Sequence, residues 1–293
     1  MTLMRHTLHL ATSDDYLALR PAVQPALTRN FTGFTRVQTE GVDIDSIVAA
    51  GRVRFEQGPA TFAEIRELVS ELAPGRDPNA LAYAVRTFLA LVQVPAGGPW
   101  GYSMTAPYAL AEDFLGTAVP ASADPHDLIL RYLAAFGPAA TRDIQAWSGL
   151  AGLKHAVEDL RPKLRTFRDE RGTELFDARG ARLAAGPFPA PVRFLPDYDN
   201  VLLAYADRTR VIRDEYRPRV FLAGGRVRAT FLVDGFVAGT WKIEAGGNAA
   251  ALVVEPFERL AKHDREALLA EGERLIRFVE DSVEASVRIG KPD

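Results

Sequence analysis

Two stretches of the chain, residues 40–120 and 121–186, repeat one order of hydrophobic and polar positions. In each copy an amphipathic helix leads into a Gly-Pro-Ala turn, at Gly58 or Gly137, and the two turns lie 79 residues apart. A second helix then starts near the threonine that follows, because Pro is tolerated at a helix start and Thr caps it. A third helix and two short β-prone runs complete each copy.

Three helices followed by a hairpin form the plan of a winged helix, so the repeat predicts two winged-helix units in tandem. Apolar residues recur at helical spacing in every predicted helix, and the short runs after them favour strands. The predicted helices are Ser46–Phe55, Glu64–Leu72 and Ala80–Leu91 in the first copy, and Leu128–Phe136, Asp143–Trp147 and Leu153–Leu160 in the second. The predicted strands are Val92–Val94 and Trp100–Tyr102, then Leu164–Arg168 and Glu174–Phe176.

Residues 1–39 predict one strand, Arg5–Leu10, and one helix that begins at the polar run Thr12–Asp15. That run suits a helix start. The apolar side chains after it fall at helical spacing: Tyr16, Leu17, Leu19, Val23 and Leu27. One strand and one helix have little of their own to pack on. We therefore interpret residues 1–39 as a partial first winged helix whose beginning is missing.

The pattern changes at Pro187, where four prolines within ten residues interrupt helical spacing. Strand-like runs follow, with an Asp-Gly hairpin turn at Asp234. These runs are Val192–Leu195, Arg219–Leu222, Arg228–Val233, Phe236–Ile243 and Ala251–Val254. A closing helix from Pro256 to about Arg288 has its apolar residues on one broad face. The predicted fold class is α+β: winged-helix units, then a small antiparallel β-domain with a C-terminal helix over residues 187–293.

The composition is that of a globular protein of two or three domains, with 293 residues, 47% of them hydrophobic. There is no cysteine, no apolar run long enough to cross a membrane and no signal-peptide pattern, so we expect a cytoplasmic protein without a membrane partner. The five histidines lack metal-site spacing, and no phosphate-binding glycine loop or G-x-S-x-G motif is present. We expect a monomer that needs no metal and no cofactor.

Positive charge is concentrated in one part of a chain whose net charge is −3. Residues 40–127 hold 12 acidic and 5 basic side chains, whereas residues 161–228 hold 9 acidic and 15 basic ones. The chain has 30 Arg and 5 Lys, and Arg suits bidentate contacts with phosphates. A GC-rich genome would also produce an excess of Arg over Lys, but it would not explain the clustering.

The densest cluster contains seven arginines between Arg208 and Arg228. Because Arg226 and Arg228 alternate along a predicted strand, we expect them to share one face. That face either contacts DNA phosphates or forms local ion pairs in solvent. Both interpretations remain open from the sequence alone.

The third helix of a winged helix normally enters the major groove of DNA. In the first copy this helix offers only Arg86, and in the second it offers Lys154 and His155, so these helices can also serve as scaffold. The residues that we predict to contact DNA are Arg5, Lys154, His155, Arg208, Arg210, Arg226 and Arg228.

The segment Leu195–Leu203 reads Leu-Pro-Asp-Tyr-Asp-Asn-Val-Leu-Leu, which places acidic and amide groups between a strand and an apolar run. Asp and Asn in such a position favour an Asx-type turn. Alternatively, the segment forms a polar cluster at a domain junction that lines a cleft facing DNA.

Several stretches resemble the winged-helix DNA-binding proteins related to AlkZ-type DNA glycosylases, a family common in actinobacteria. They are Met4–Leu10, Leu195–Leu203, Ala206–Ile212 and Leu232–Trp241, and the likeness extends over essentially the whole chain. The resemblance implies a C-shaped protein of tandem winged helices and a β-domain that encloses double-stranded DNA. It also implies hydrolysis of the N-glycosidic bond of bulky or crosslinked alkylpurines.

The family's catalytic pair, Gln-x-Gln or Gln-x-Asp, precedes the stretch that corresponds to Met4–Leu10, and no glutamine of this sequence has such a partner. A positively charged alkylpurine is already a good leaving group, so an activated water and a stabilised sugar cation suffice. The catalytic candidates are His9, Asp199 and Asn200. The sequence thus predicts a DNA-repair protein of glycosylase type. The alternatives are a non-enzymatic DNA-binding or regulatory protein, and a structural protein whose winged helices bind other proteins.

Overall fold

The computed structural model describes residues 3–95, 106–182, 190–246, 249–280 and 284–292. The chain folds as two units, Met1–Arg179 and Gly180–Asp293. Helices dominate the first unit, and a five-stranded sheet lies in the second. Helix and sheet are thus segregated, as in an α+β fold. No helix among the described residues is both long and apolar enough to cross a membrane.

The predicted strand near the N-terminus is wrong, because a distorted 3₁₀ turn occupies Met4–His6. Arg5 and His6 have φ angles of 54° and 58°, which no extended strand accommodates. The amide and the hydroxyl of Thr7 both donate to the carbonyl of Met4, at 3.1 and 3.0 Å, and close the turn.

Helix α1 spans Ser13–Thr35. Its predicted start is confirmed, because the Thr12 hydroxyl accepts a hydrogen bond from the Asp15 amide. The apolar side chains that helical spacing placed on one face include three that are fully buried: Tyr16, Val23 and Leu27.

The first repeat has three helices and a hairpin. The helices are α2 (Ile44–Glu56), α3 (Phe62–Leu72) and α4 (Pro78–Phe88), and the antiparallel strands are β1 (Leu91–Gln93) and β2 (Tyr108–Leu110). Their common core includes Ile47, Phe55, Ile65, Val69, Leu81 and Val85. The predicted strand Trp100–Tyr102 lies outside the described residues.

The second repeat follows a short connecting helix, α5 (Ala111–Leu115), and has the same order of elements. Its helices are α6 (Pro125–Phe136), α7 (Thr141–Ser148) and α8 (Lys154–Leu160), and its antiparallel strands are β3 (Leu164–Arg168) and β4 (Glu174–Ala178).

The two repeats start their second helices differently. Thr61 caps α3, and the Glu64 carboxylate accepts a hydrogen bond from the Thr61 amide at 2.7 Å. In the second repeat Thr141 is not the cap, because the extra alanine shifts it into the helix. There the Asp143 carboxylate accepts a hydrogen bond from the Ala140 amide at 2.9 Å.

Both repeats also share a backbone contact that the sequence did not reveal. Ala60, just before α3, exchanges two hydrogen bonds with Tyr108 of β2, at 2.9 and 2.7 Å. Ala139, just before α7, exchanges two with Phe176 of β4, at 2.9 and 2.8 Å. The turn before the second helix is therefore tied to the hairpin in each repeat, which fixes the hairpin against the helices.

The sheet of the second unit has the order β5-β6-β7-β8-β9. Its strands are Arg193–Leu195, Thr230–Val233, Phe236–Gly246, Ala249–Pro256 and Glu284–Ile289. Neighbouring strands are antiparallel except β8 and β9, which pair in parallel. Helix α11 (Lys262–Val279) connects these two strands, as a parallel pair requires. The core between helix and sheet includes Phe231, Leu252, Val254, Leu268 and Ile276.

The predicted C-terminal helix is wrong beyond Val279, where α11 ends. The segment after it becomes β9, in which half-buried residues such as Val287 and Ile289 alternate with exposed ones. The β-domain is therefore not purely antiparallel. Gly272 permits the close packing of α11 on this strand, since a Cβ there would lie 3.0 Å from a methyl carbon of Val287.

The predicted strand Arg219–Leu222 is also wrong, because a short helix, α10, covers Arg217–Val220. Pro218 stands in its first turn, where the missing N–H of proline has no cost. A second short helix, α9, covers Asn200–Leu203.

Candidate nucleic-acid interface

Residues 196–228 of the second unit carry most of the predicted site residues. Besides α9 and α10, this segment contains 3₁₀ turns, and it folds around a small apolar core. The buried residues of this core are Leu202, Ile212, Val220, Val227, Val237 and Phe257. Because the apolar side chains turn inward, the arginines between them are left half-buried or exposed.

Three arginines of this segment lie close over aromatic rings, and a fourth, Arg213, lies farther from one, 5.8 Å from the centroid of Tyr216. The Arg208 guanidinium carbon is 4.2 Å from the centroid of Phe221, that of Arg210 is 4.4 Å from Tyr205, and that of Arg219 is 4.0 Å from Phe257. Such contacts orient the guanidinium plane and keep its positive charge. Burial, aided by nearby Arg217, lowers the pKa of Arg208 from its ordinary value. Arg208 remains charged at neutral pH. Because Phe221 already orients its guanidinium, Arg208 can bind an anion with little rearrangement of its side chain.

Other arginines of the cluster are neutralised locally. Arg228 pairs with Glu255 at 2.8 Å, Arg213 with Glu258 at 3.1 Å and Arg217 with Asp214 at 3.2 Å. The ion-pair interpretation therefore describes these three arginines.

Arg226 differs from its neighbours, because it is exposed and has no side-chain partner among the residues that the structure describes. The expectation that Arg226 and Arg228 lie on one strand is wrong, since β6 begins only at Thr230. Instead they flank Val227, which forms an isolated bridge with Phe221. Arg226 is thus the side chain of the cluster that is most available to an external phosphate.

In the polar segment before α9, aspartate carboxylates accept hydrogen bonds from backbone amides and so fix the course of the chain. The Asp197 carboxylate accepts a hydrogen bond from the Ala229 amide at 2.7 Å. The Asp199 carboxylate caps α9 by accepting one from the Val201 amide at 2.8 Å. This is the Asx-type turn that the sequence favours. The side-chain oxygen of Asn200 is buried and has no hydrogen-bond partner within the described parts of the chain.

His9 lies in the first unit, apart in sequence from Asp199 and Asn200. Its Nε2 is 2.8 Å from the Thr7 hydroxyl and 3.3 Å from the Met4 carbonyl. Burial lowers the pKa of His9, with nearby Arg5 acting in the same direction. The imidazole is therefore neutral at physiological pH, which is the state that a proton acceptor needs.

The remaining predicted DNA contacts also lie in the first unit. The half-buried Arg5 guanidinium donates to the Trp147 carbonyl and joins the N-terminal turn to α7. Lys154 and His155 are both exposed at the start of α8. The predicted residues thus fall in both units, four in the first and six in the second.

Sequence reasoning missed a cluster in which His6 contacts α4. The His6 ring lies 4.7 Å from that of Tyr83, and Arg86 donates to the His6 carbonyl at 3.3 Å. His6 Nε2 is 2.9 Å from the Leu27 carbonyl and must donate to it, so Nδ1 is the acceptor nitrogen. Nδ1 is buried and lacks a partner among the described residues. The available signal was the spacing of Tyr83 and Arg86, which share one face of α4.

Comparisons with known proteins give one family and one fold. The sequence model of a family described as DNA glycosylase AlkZ-like matches residues 1–278. Among solved structures, the chain is similar to the Streptomyces sahachiroi DNA glycosylase AlkZ, with a TM-score of 0.73 and 22% identity, over 99% of this chain and 81% of that one. At 22% identity, this structural similarity shows the fold alone. No curated protein sequence matches the chain.

Proposed function

The chain belongs to the AlkZ-like family of DNA glycosylases, and from this premise we propose that it binds double-stranded DNA and excises alkylated or crosslinked bases from it. The observation that carries the proposal is the family match over residues 1–278. The arginines of residues 208–228 support the DNA-binding part, because a guanidinium held on a ring offers an oriented charge to a phosphate.

The two repeats support the same proposal, because each has the order of elements of a winged-helix unit. Each has three helices and a hairpin, and each ties the turn before its second helix to the hairpin by backbone hydrogen bonds. In this interpretation α4 and α8 are the third helices that face the DNA grooves. Lys154 and His155 are exposed at the start of α8, which supports their proposed role as such contacts.

The proposed reaction is hydrolysis of the N-glycosidic bond. A water oxygen bonds to the sugar C1′, the bond from C1′ to the base nitrogen breaks, and its electron pair neutralises the positively charged alkylpurine. The water proton passes to a base. His9 suits this role best among the candidates, because its imidazole is neutral. Asp199 already caps α9, so its part is to hold Asn200 in place.

Single-turnover incubation with a duplex that contains one N7-alkylguanine tests this function. We expect abasic sites, scored as strand breaks after mild alkali, in the damaged duplex and none in the matched undamaged duplex. His9→Gln should slow excision by about 10²-fold, the usual effect of losing a general base. Asn200→Ala and Asp199→Asn are the companion variants. Equal strand breakage in both duplexes would contradict the proposal.

The second candidate is a DNA-binding protein without catalysis. It is favoured by one sequence feature: no glutamine among the 293 residues is followed two positions later by Gln or Asp. Tight binding to both duplexes without strand breaks in either would select this alternative.

A further inference from the structure

A pocket of 440 Å³ opens on the first unit beside α4. Its walls come from the end of α1, the start of α3 and one face of α4. The volume lies within the range of small-molecule sites, roughly 300–1,000 Å³. None of the residues predicted from the sequence to contact DNA or to catalyse lines it.

Three aromatic rings and one guanidinium give this pocket flat surfaces. The guanidinium carbon of Arg86 lies 5.7 Å from the centroid of Phe62 and 5.5 Å from that of Tyr83. Tyr83 is fixed from behind by the rings of Phe31, at 5.9 Å, and His6, at 4.7 Å. Phe34 stands at the rim with 74% of its surface exposed. An exposed aromatic rim above a fixed floor suits a planar ligand that stacks.

Amide groups at the rim can read the edge of such a ligand. Gln38 is exposed and has no partner within the described ranges. Asn79 is exposed, and among the described residues its side chain receives only a 3.4 Å hydrogen bond from Arg66. Each side-chain amide presents a donor and an acceptor, the combination that pairs with the N6 and N7 edge of adenine. A pocket that offers both stacking faces and hydrogen-bonding groups suits a nucleobase better than it suits a purely apolar ring.

The charge of the pocket selects the kind of base. Arg86 places a positive charge against the Phe62 and Tyr83 rings, and the Asp77 carboxylate at the rim accepts a hydrogen bond from the backbone amide of Asn79 at 2.9 Å. A ring that is itself positively charged, such as an N7-alkylated purine, is therefore disfavoured where it would stack on these rings, beside the Arg86 guanidinium. A neutral base is not.

We propose that this pocket binds a neutral, unpaired purine of DNA, stacked beside Phe34 and Phe62 and hydrogen-bonded by Asn79 and Gln38. Base faces are hidden inside a duplex, so only a base turned out of the stack can enter. The site would thus hold an undamaged base that is displaced near the lesion, rather than the lesion itself. This inference rests on the proposed function, because it requires that the chain bind DNA.

Equilibrium binding of the full chain to two labelled duplexes tests the inference. One duplex is fully paired, and the other carries a single bulged adenine. We expect the bulged duplex to bind about tenfold more tightly, the effect of one base stacked on aromatic rings. The double variant Phe34→Ala and Asn79→Ala should bind both duplexes equally. Phe114→Ala removes another exposed phenylalanine, outside the pocket, and should keep the preference.

The outcomes separate the two proposals. Wild-type protein that binds both duplexes equally would overturn the pocket assignment and leave DNA binding intact, as would a double variant that keeps the preference. Absence of binding to either duplex would overturn both. In the His9→Gln background, which slows excision, adding Phe34→Ala and Asn79→Ala should weaken binding to a duplex with a bulged guanine but not to one with a bulged N7-methylguanine. Equal weakening of both would mean that the pocket receives the lesion and would contradict the inference.

Discussion

His6 combines a left-handed backbone, a buried ring and an acceptor nitrogen that lacks a partner among the described residues. Such features are costly and persist only where the surrounding structure holds them. Here the holding contacts are the Leu27 carbonyl, the Tyr83 ring and the Arg86 guanidinium. Burial lowers the pKa of His6 below its ordinary value of 6.5, and Arg86 and Arg20 add to the effect.

His6 should make the protein less stable in mild acid. The unfolded chain takes up a proton near pH 6.5, whereas folded His6 takes it up only at lower pH. Stability is therefore lost as the pH falls below about 6.5, by up to about 1.4 kcal/mol per pH unit. Urea unfolding between pH 5 and pH 8 should show a shallower acid decline for His6→Gln than for wild type. His155→Gln, on the exposed side of α8, is the control, and identical declines in all three proteins would refute the assignment.

The burial of Arg20 could not be predicted from the sequence. An arginine is expected at the surface, yet Arg20 is 3% exposed. Its guanidinium donates to the carbonyls of Thr87, at 2.8 Å, and Leu89, at 3.3 Å, near the end of α4. These carbonyls attract a cation because they lie at the negative end of a helix. The sequence could not place the two helices together, so neither the burial nor its cause could be foreseen.

At the scale of elements, the packing of α2 on α4 depends on a glycine. A Cβ at Gly51 would lie 2.6 Å from one methyl carbon of Val85 and 2.9 Å from the other. Gly33 of α1 is a matched position, because a Cβ there would meet nothing within 4 Å.

Gly51→Ala should destabilise the protein by about 1–3 kcal/mol, because the added methyl group overpacks the contact between α2 and α4. Gly33→Ala should instead stabilise it by about 0.5 kcal/mol, since alanine favours the helix more than glycine does. The free energy of unfolding in urea measures both changes. A neutral or stabilising effect of Gly51→Ala would show that the two helices are packed less closely.

The repeat made most elements of residues 40–186 predictable, since periodicity and turn residues pointed to the same result in both copies. Failures occurred where the end of an element had to be placed. Glu284–Ile289 alternates polar and apolar residues, but the predicted helix was continued through it, whereas it pairs with β8 as a strand. Arg219–Leu222 contains the strand-forming residues Val220 and Phe221, yet its first two residues belong to the short helix α10, which Pro218 helps to start. Such pairings depend on residues far apart in the sequence.

At the scale of the molecule, the clustering of arginines could be predicted from the sequence. Which of them form ion pairs could not. The sequence located the arginines, but only the structure distinguishes the pairs Arg228–Glu255 and Arg213–Glu258 from the exposed Arg226. The predicted catalytic candidates fall in both units, and the Asp199 carboxylate accepts the hydrogen bond that caps α9. With a net charge of −3, any attraction to DNA must come from local clusters rather than from the whole.

The central claim, that this chain holds double-stranded DNA, is tested most directly by the affinity for an undamaged duplex between roughly 50 and 200 mM salt. We expect the logarithm of the affinity to fall linearly with the logarithm of salt concentration, with a slope of about −3 or steeper for three or more neutralised phosphates. Arg226→Ala should make the slope shallower by about 0.9, whereas Lys262→Ala, at the exposed start of α11, should leave it unchanged. Binding that is absent or independent of salt would contradict the claim and favour a role in protein contacts.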